Sequence, residues 1–406
     1  MPIDIRLMGP ERLEDFIHPI MTAFGGAPTL ERLEYMKRVI ELDTRIGAFD
    51  GDKHVGSAGV YAFDMSTTGG RMVKTAGLTM VAVMPTHRRR GILRALIRRH
   101  LDEARAKGQP IASLWASEAP IYGRYGYGLA SFAGEVSIER DRSAFVGTLP
   151  NSEARLVSDE EAAAIMPTLW DRARQIAPGM PSRSESWWKN RRLLDIESVR
   201  AGFGPLQRVV FAINGRPEAY ALYRTRLSFE TPDIPVSTVK VIEAIGATSD
   251  GTRVAWRYLC DLDLATRIEA ANLPVDHPLL LLLAEPRRAH YSLYDALWVR
   301  IVDVETALAA RAYSSRESLV FDIEDTMCPW NNGRFRLDGE TGRAARTHEH
   351  PDIRLPISSL GSAYLGGLTF SRMAEVGAVE SKTDGAIEKA DRLFHSARAP
   401  WCPEIF

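Results

Sequence analysis

Near residue 80 a buried strand runs into three arginines, a glycine and an amphipathic helix, and few folds accommodate that order. Leu78 to Met84 is an apolar, β-branched run of strand length. Pro85 stops it, because proline lacks a backbone donor and fixes φ. Apolar residues then recur at Ile92, Leu93, Leu96, Ile97, Leu101 and Ala104. That is helical spacing, and Arg94, Arg98 and Arg105 lie off the stripe. The helix is therefore predicted to begin beside Gly91. A helix start offers unpaired N–H groups and the positive end of the macrodipole, and Arg88, Arg89 and Arg90 add forked donors suited to phosphate oxygens. A solvated basic loop capping a surface helix has the same composition. The strand, glycine-bearing turn and packed helix in succession favour a pyrophosphate site. Neither G-x-G-x-x-G nor a Walker lysine is present, so the dehydrogenase and P-loop readings are weak.

Arg88-Arg89-Arg90-Gly91-Ile92-Leu93 resembles the Arg/Gln-x-x-Gly-x-Gly/Ala signature of the GNAT superfamily of N-acetyltransferases, with Leu93 in place of the small last residue. The longer stretches VAVMPTHRRRGILRAL and ASEAPIYGRYGYG resemble one branch, the enhanced intracellular survival (Eis) family. The likeness is strongest over about residues 75 to 130 and extends to the last residue, Phe406, since members of that family end in phenylalanine. It implies an α/β (α+β) chain with tandem GNAT-like folds and a C-terminal sterol-carrier-protein-like α+β domain. It also implies acetyl-CoA as cosubstrate, a primary amine as acceptor (an aminoglycoside, a polyamine or a lysine side chain) and a homohexamer.

An internal echo divides the chain. Residues 1–150 open with an acidic helix candidate at Glu11 to Phe24. Arg45 to Phe49 and Val55 to Tyr61 then flank the hairpin signal Asp50-Gly51-Asp52. A second cycle, residues 151–288, starts at the helix signal Ser158-Asp159-Glu160-Glu161 and carries a hairpin about Asn214-Gly215. Val239 to Leu259 then repeats strand, turn, glycine and helix, with Ser249-Asp250-Gly251 standing where the arginines stood. Acid at that turn repels a pyrophosphate, so the second copy is predicted to be structural and to hold no cofactor. In residues 289–406, Trp298 to Val304 reads as a strand, Thr306 to Tyr313 as a helix, Leu319 to Ile323 and Gly333 to Leu337 as a hairpin, and Ile357 to Leu365 and Ala386 to His395 as helices.

Composition bounds the alternatives. The 406 residues suit two to four domains at about 100 to 200 residues each. With 51 basic and 52 acidic residues, the chain gives no general argument for a nucleic-acid partner. Cys260, Cys328 and Cys402 are scattered and odd in number, which suits reduced thiols and offers no metal pair. The N-terminus lacks a leader pattern, and Leu279 to Leu283 is too short to span a bilayer. A soluble cytoplasmic chain without metal or membrane span is expected.

Acetyl transfer to an amine needs a pyrophosphate cradle, donors for the thioester carbonyl, a base for the amine proton and an acid for the departing thiolate. By the resemblance, Arg88, Arg89, Arg90, Gly91, Ile92, Leu93 and Arg94 hold the cofactor's phosphates. Backbone groups of Val81, Ala82 and Val83 hold its acetyl and pantetheine parts, which requires their strand to splay from its neighbour, and Ser117 and Glu118 touch the cofactor through their backbone. The acid falls on Tyr122, at the family spacing from Gly126-Tyr127. From residue type alone, Tyr122, Tyr125 and Tyr127 serve equally as packing aromatics; for the latter two that reading is preferred. The base, again by resemblance, is the α-carboxylate of Phe406, on a stiff apolar tail containing Trp401 and two prolines. Ile405 departs from the acidic lining of broadly accepting members, with Glu404 one position away. Two other readings compete: a CoA-binding regulator with little turnover, and a lipid carrier acting through the C-terminal domain.

Overall fold

The computed structural model describes residues 3–26, 30–232 and 234–406. Its strands are β1 (Asp4–Leu7), β2 (Thr44–Asp50), β3 (Lys53–Ser66), β4 (Met72–Val83), β5 (Ile111–Trp115), β6 (Gly128–Leu129), β7 (Phe132–Glu139), β8 (Ser152–Leu156), β9 (Gln207–Ile213), β10 (Arg216–Thr231), β11 (Ile234–Gly246), β12 (Ala265–Leu273), β13 (Ser292–Asp295), β14 (Leu297–Ile301), β15 (Ser318–Glu324), β16 (Gly333–Asp338), β17 (Ala344–Arg346), β18 (Ile353–Pro356) and β19 (Glu380–Ser381). They form two compact units. One comprises Met1–Ser131, Ala296–Pro400 and Glu404–Phe406, the other Phe132–Asp295 and Trp401–Pro403. Among the described residues no helix is long and apolar enough to cross a membrane.

The first unit is built on a sheet of order β1-β2-β3-β4-β5-β14-β6. β2 and β3 form the expected hairpin, with Gly51 in the left-handed conformation its turn demands. The helix Ile92–Ala106 lays Ile92, Leu96, Ile97, Leu101 and Ala104 on this sheet, so the predicted apolar stripe is the buried one. β4 and β5 run parallel, and this helix makes the crossover between them. The strand expected at 298–304 is β14, and it pairs antiparallel with both β5 and β6. Conversely β7, from early in the chain, sits between β13 and β12 in the sheet of the second unit. Sheet membership therefore does not follow chain order at these two strands.

A five-stranded sheet, β17-β16-β15-β18-β19, completes the first unit. It is joined to the first sheet by close backbone packing of the helix Ile357–Ala363. A Cβ on Gly128 would lie 1.9 Å from the Ser358 carbonyl oxygen, and one on Gly361 2.4 Å from that of Val299. Two buried arginines brace the junction and the core. Arg300, fully buried, grips Asp325 through Nη2 at 2.7 Å to both carboxylate oxygens, and its Nε donates to the Tyr125 carbonyl at 2.8 Å. Asp325 also accepts from the amides of Met327 and Cys328. Arg311 is equally buried and has no carboxylate partner among the described residues. It donates instead to the Tyr364 and Phe394 carbonyls at 2.8 and 3.1 Å, beside the ends of two helices, where the dipole is negative. Phe394 lies 4.2 Å from its guanidinium and packs edge-on against Phe321 and Phe370, which stack on each other.

The second unit repeats the plan with the order β13-β7-β12-β11-β10-β9-β8. Its first helix, Asp159–Arg174, starts in a capping box of Ser158 and Glu161, as the acidic signal predicted. The β9–β10 hairpin turns on Asn214 and Gly215, both at positive φ.

Removing one partner of a buried pair leaves the other charge uncompensated. Asp325→Ala is expected to destabilise the protein by about 3 to 5 kcal/mol. Urea unfolding followed by tryptophan emission checks this, and a loss below about 1 kcal/mol would show that Arg300 is otherwise satisfied.

Candidate active site

The parallel pair at the centre of the first sheet opens. β4 and β5 are paired from Thr75↔Ile111 to Gly77↔Ser113, and no further. Directly beyond, β4 bulges against β3: the register passes from Gly59↔Thr79 to Ser57↔Ala82, and Met80 adopts φ 51°, unusual outside glycine. Met84 donates its amide to the Val55 carbonyl at 2.9 Å, on the β3 side. Amides alternate along a strand, so those of Val83 and Val81 point the other way, into the opening left by β5. The splay required of Val81 to Val83 is present, with Ala82 buried and the side chains of Val81 and Val83 against the core under the helix.

Beyond the splay comes the arginine loop. Arg89 and Gly91 are left-handed (φ 63° and 79°), and Gly91 starts the helix without a side-chain cap. The first helical bond is Ala95 N–H to Gly91 C=O, so the amides of Gly91, Ile92, Leu93 and Arg94 are not taken up by the helix. Arg88, Arg89 and Arg94 are exposed and engage no partner among the described residues, whereas Arg90 does not stand free. Its guanidinium donates to Asp50 at 3.0 Å and holds that carboxyl below its usual range, and His87 lies 3.4 Å from the same oxygen. Arg90 thus pins the loop to the β2–β3 hairpin. Leu93, in the family's small-residue position, is half buried against the core. Ser117 and Glu118 are exposed just after β5, with the Glu118 carbonyl accepting from Ile121 at 3.1 Å.

Tyr122 ends the short helix Ala119–Tyr122 with its ring buried in the cluster that contains Leu78, Leu114 and the flank of Val81. Burial, with smaller effects from Tyr125 and Glu118, pushes its phenol up to about 12, and no residue described hydrogen-bonds its hydroxyl. Tyr127 packs edge-on against it at 5.9 Å and hydrogen-bonds His100 at 3.1 Å inside the core. Burial, then Arg300, pushes that imidazole down to about 3, so it is neutral and structural. Phe406 approaches from the other face of β4. Ala76 and Leu78 face the helix, so the Cβ direction of Gly77 faces away from it, and a Cβ there would meet Phe63 at 2.5 Å and the Phe406 ring at 3.1 Å. Phe406 and Phe63 pack edge-on at 5.0 Å. Two residues back, the Glu404 carbonyl accepts from the indole of Trp115 at 2.7 Å. The structure therefore brings together the splay, the loop, the phenol and the last residue.

The second unit lacks this arrangement at its helix start. Ser249-Asp250-Gly251, read from sequence as the counterpart of the arginine turn, is already the first turn of the helix Ser249–Asp261. Thr248 caps it through a bond from the Gly251 amide at 3.1 Å, and Asp250 pairs with Arg253. Here the turn is shorter, the cap is occupied and an acid stands in the first turn of the helix.

A parallel pair that splays at a bulge and feeds an uncapped, arginine-flanked helix start is the cofactor slot of the GNAT fold, and it defines an N-acetyltransferase, a class whose cosubstrate is acetyl-CoA. The free amides and the unpaired Arg88 and Arg89 fit such a ligand. Family models agree: an acetyltransferase (GNAT) domain matches residues 4–130, a second residues 179–301, and a sterol carrier protein domain residues 304–403. The chain is 38% identical to an N-acetyltransferase of Streptomyces avermitilis over the whole of both chains. It is 34% identical to the N-acetyltransferase Eis of Mycobacterium tuberculosis, over 87% of this chain and 86% of that one. The crystal structure of Eis1 from Mycobacterium abscessus superposes with a TM-score of 0.85 at 32% identity, covering 99% of this chain and 100% of its own. The chain belongs to the Eis family of N-acetyltransferases.

Sequence reasoning missed Gly77, Met80, Asp50 and Trp115. A glycine inside a β-rich run was the available signal for a close approach. The bulge and the Trp115 bond left no local trace. Gly77→Ala should drive its methyl into Phe63 and Phe406, costing about 1 to 3 kcal/mol. Hydrogen exchange of the C-terminal peptide should then quicken; unchanged protection would mean that Phe406 is held elsewhere.

Proposed function

We propose that the first acetyltransferase fold, within residues 1–150, moves an acetyl group from acetyl-CoA directly to a primary amine. The observation that carries this is the opening of β4 from β5 beyond Gly77, with Tyr122 on one face and Phe406 on the other. Arg88, Arg89 and the amides from Gly91 to Arg94 take the pyrophosphate, while Arg90 sets the loop through Asp50. Ser117 and Glu118 border the cofactor through their backbone. The amides of Val81 and Val83 take the pantetheine arm and the thioester oxygen, where developing negative charge is stabilised. The amine attacks the thioester carbon, its proton passes to the α-carboxylate of Phe406, and the sulfur leaves as thiolate, taking the Tyr122 proton. A phenol held near 12 stays protonated throughout the neutral range, as a donor must.

Family likeness supports aminoglycosides, polyamines and lysine side chains as acceptors, and a closed homohexamer in the cytoplasm. Residues 151–288 act as a fold without cofactor and 289–406 as a scaffold ending in the base. The packed rings of Phe321, Phe370 and Phe394 beside the buried Arg311 favour scaffolding over lipid carriage.

Arg88→Ala with Arg89→Ala should weaken acetyl-CoA by about 1.5 to 3 kcal/mol per lost charge-assisted contact. Calorimetry on the unaltered protein should count one acetyl-CoA per chain; unchanged affinity in the variant, or two equal sites, would overturn the assignment. Separately, Tyr122→Phe should lower kcat by about 10²-fold or more with acetyl-CoA affinity nearly unchanged. A short extension after Phe406 should be comparably damaging, because it converts the carboxylate to an amide. A fully active extended chain would remove Phe406 as base.

A further inference from the structure

The second unit keeps one element of a cofactor slot. β11 and β12 run parallel from Ser237↔Ala265 to Val241↔Ala270 and then separate, as β4 and β5 do. The opening is not empty. Trp401 and Pro403 line it together with Ile242, Ala244, Asn272 and Leu273.

The contacts of the tail there are directional. The Trp401 indole donates to the Asn272 carbonyl at 2.7 Å, and the Asn272 side-chain amide donates to the Cys402 carbonyl at 3.0 Å. Opposite, the Trp401 amide donates to the Pro178 carbonyl at 2.8 Å. A Cβ on Gly179 would lie 3.0 Å from the Trp401 carbonyl oxygen, so the backbones touch where only glycine leaves room. β12 is shaped for this contact. Its pairing with β7 shifts register between Ala270 and Leu273, and Asn272 takes φ 57°, a conformation that asparagine tolerates better than most residues. The Asn272 amide, turned out of the ladder, donates to the Tyr294 hydroxyl at 2.9 Å.

We infer that the second acetyltransferase fold is a binding slot for a peptide, the chain's own segment Trp401–Pro403, which lies in the strand opening where the first fold faces its cofactor. Pro403 is followed directly by Glu404, whose carbonyl Trp115 holds, so the slot fixes the chain three residues before Phe406. The effect on turnover rests on the proposed role of the Phe406 carboxylate; the binding itself does not.

Asn272 gives the test in the full-length protein. Asn272→Gly keeps the left-handed backbone and removes the donor to Cys402. Asn272→Asp places a carboxylate against that carbonyl and serves as a second variant should the first fold poorly. Hydrogen exchange of residues 401–406 should accelerate about fivefold in the first, as for one lost hydrogen bond, and more in the second. Protection of β9 and β10 should stay unchanged. With the tail loosened, kcat should fall about as much, with acetyl-CoA affinity within about twofold. Unchanged tail exchange in both variants would overturn the slot whatever happens to activity. A loosened tail with undiminished kcat would support the slot and count against Phe406 as base.

Discussion

Everything at the candidate site follows from two parallel strands that stop pairing after Gly77 and Ser113. A ladder that ends in mid-sheet leaves amides without partners, and a buried donor left unmet costs about 1 to 3 kcal/mol. The bulge at Met80 fixes where this happens, because an extra residue in the left-handed region bends β4 away and re-aims the amides that follow. The opening in turn lies directly before the arginine-flanked helix start. Both acetyltransferase folds carry such a break, but among the described residues the first is followed by an uncapped helix with free guanidinium groups and the second by a helix that Thr248 caps.

The segment bearing Tyr122 is held from below by charges that never meet solvent. Arg300 reaches from β14 to the Tyr125 carbonyl while locked to Asp325, and Gly126 lies so close that a Cβ would stand 2.7 Å from Nε of Arg300. Tyr127 and His100 close the other side. Such a pair adds little net stability over an apolar substitute, but it fixes geometry. On the proposed mechanism this rigidity keeps the phenol beside the departing sulfur.

Much of this was legible in the sequence wherever the signal is local. The Leu78–Met84 run, the stripe from Ile92 to Ala104, the Asn214-Gly215 turn and the Ser158 cap each act within a few residues of chain. The arginine loop was legible because charge, glycine and helix start coincide. Partnerships across long separations were not. Nothing near Asp50 announces Arg90, and nothing near Trp115 announces Glu404. The turn before Ser249 was misjudged in length because a helix N-terminus and a short loop share the residues Ser, Asp and Gly.

The placement of β14 bears on how the protein is made. The first sheet begins at residue 4, yet β5 gains its outer neighbour, and β6 any neighbour at all, only when Leu297–Ile301 arrives. Ribosomes add about 5 to 20 residues per second. The nascent chain therefore carries an open, apolar edge at β5 for on the order of ten to thirty seconds. During that interval an exposed strand is a template for pairing with other chains. Synthesis of this enzyme should depend on chaperone cover in a way that the stability of the finished molecule does not reveal.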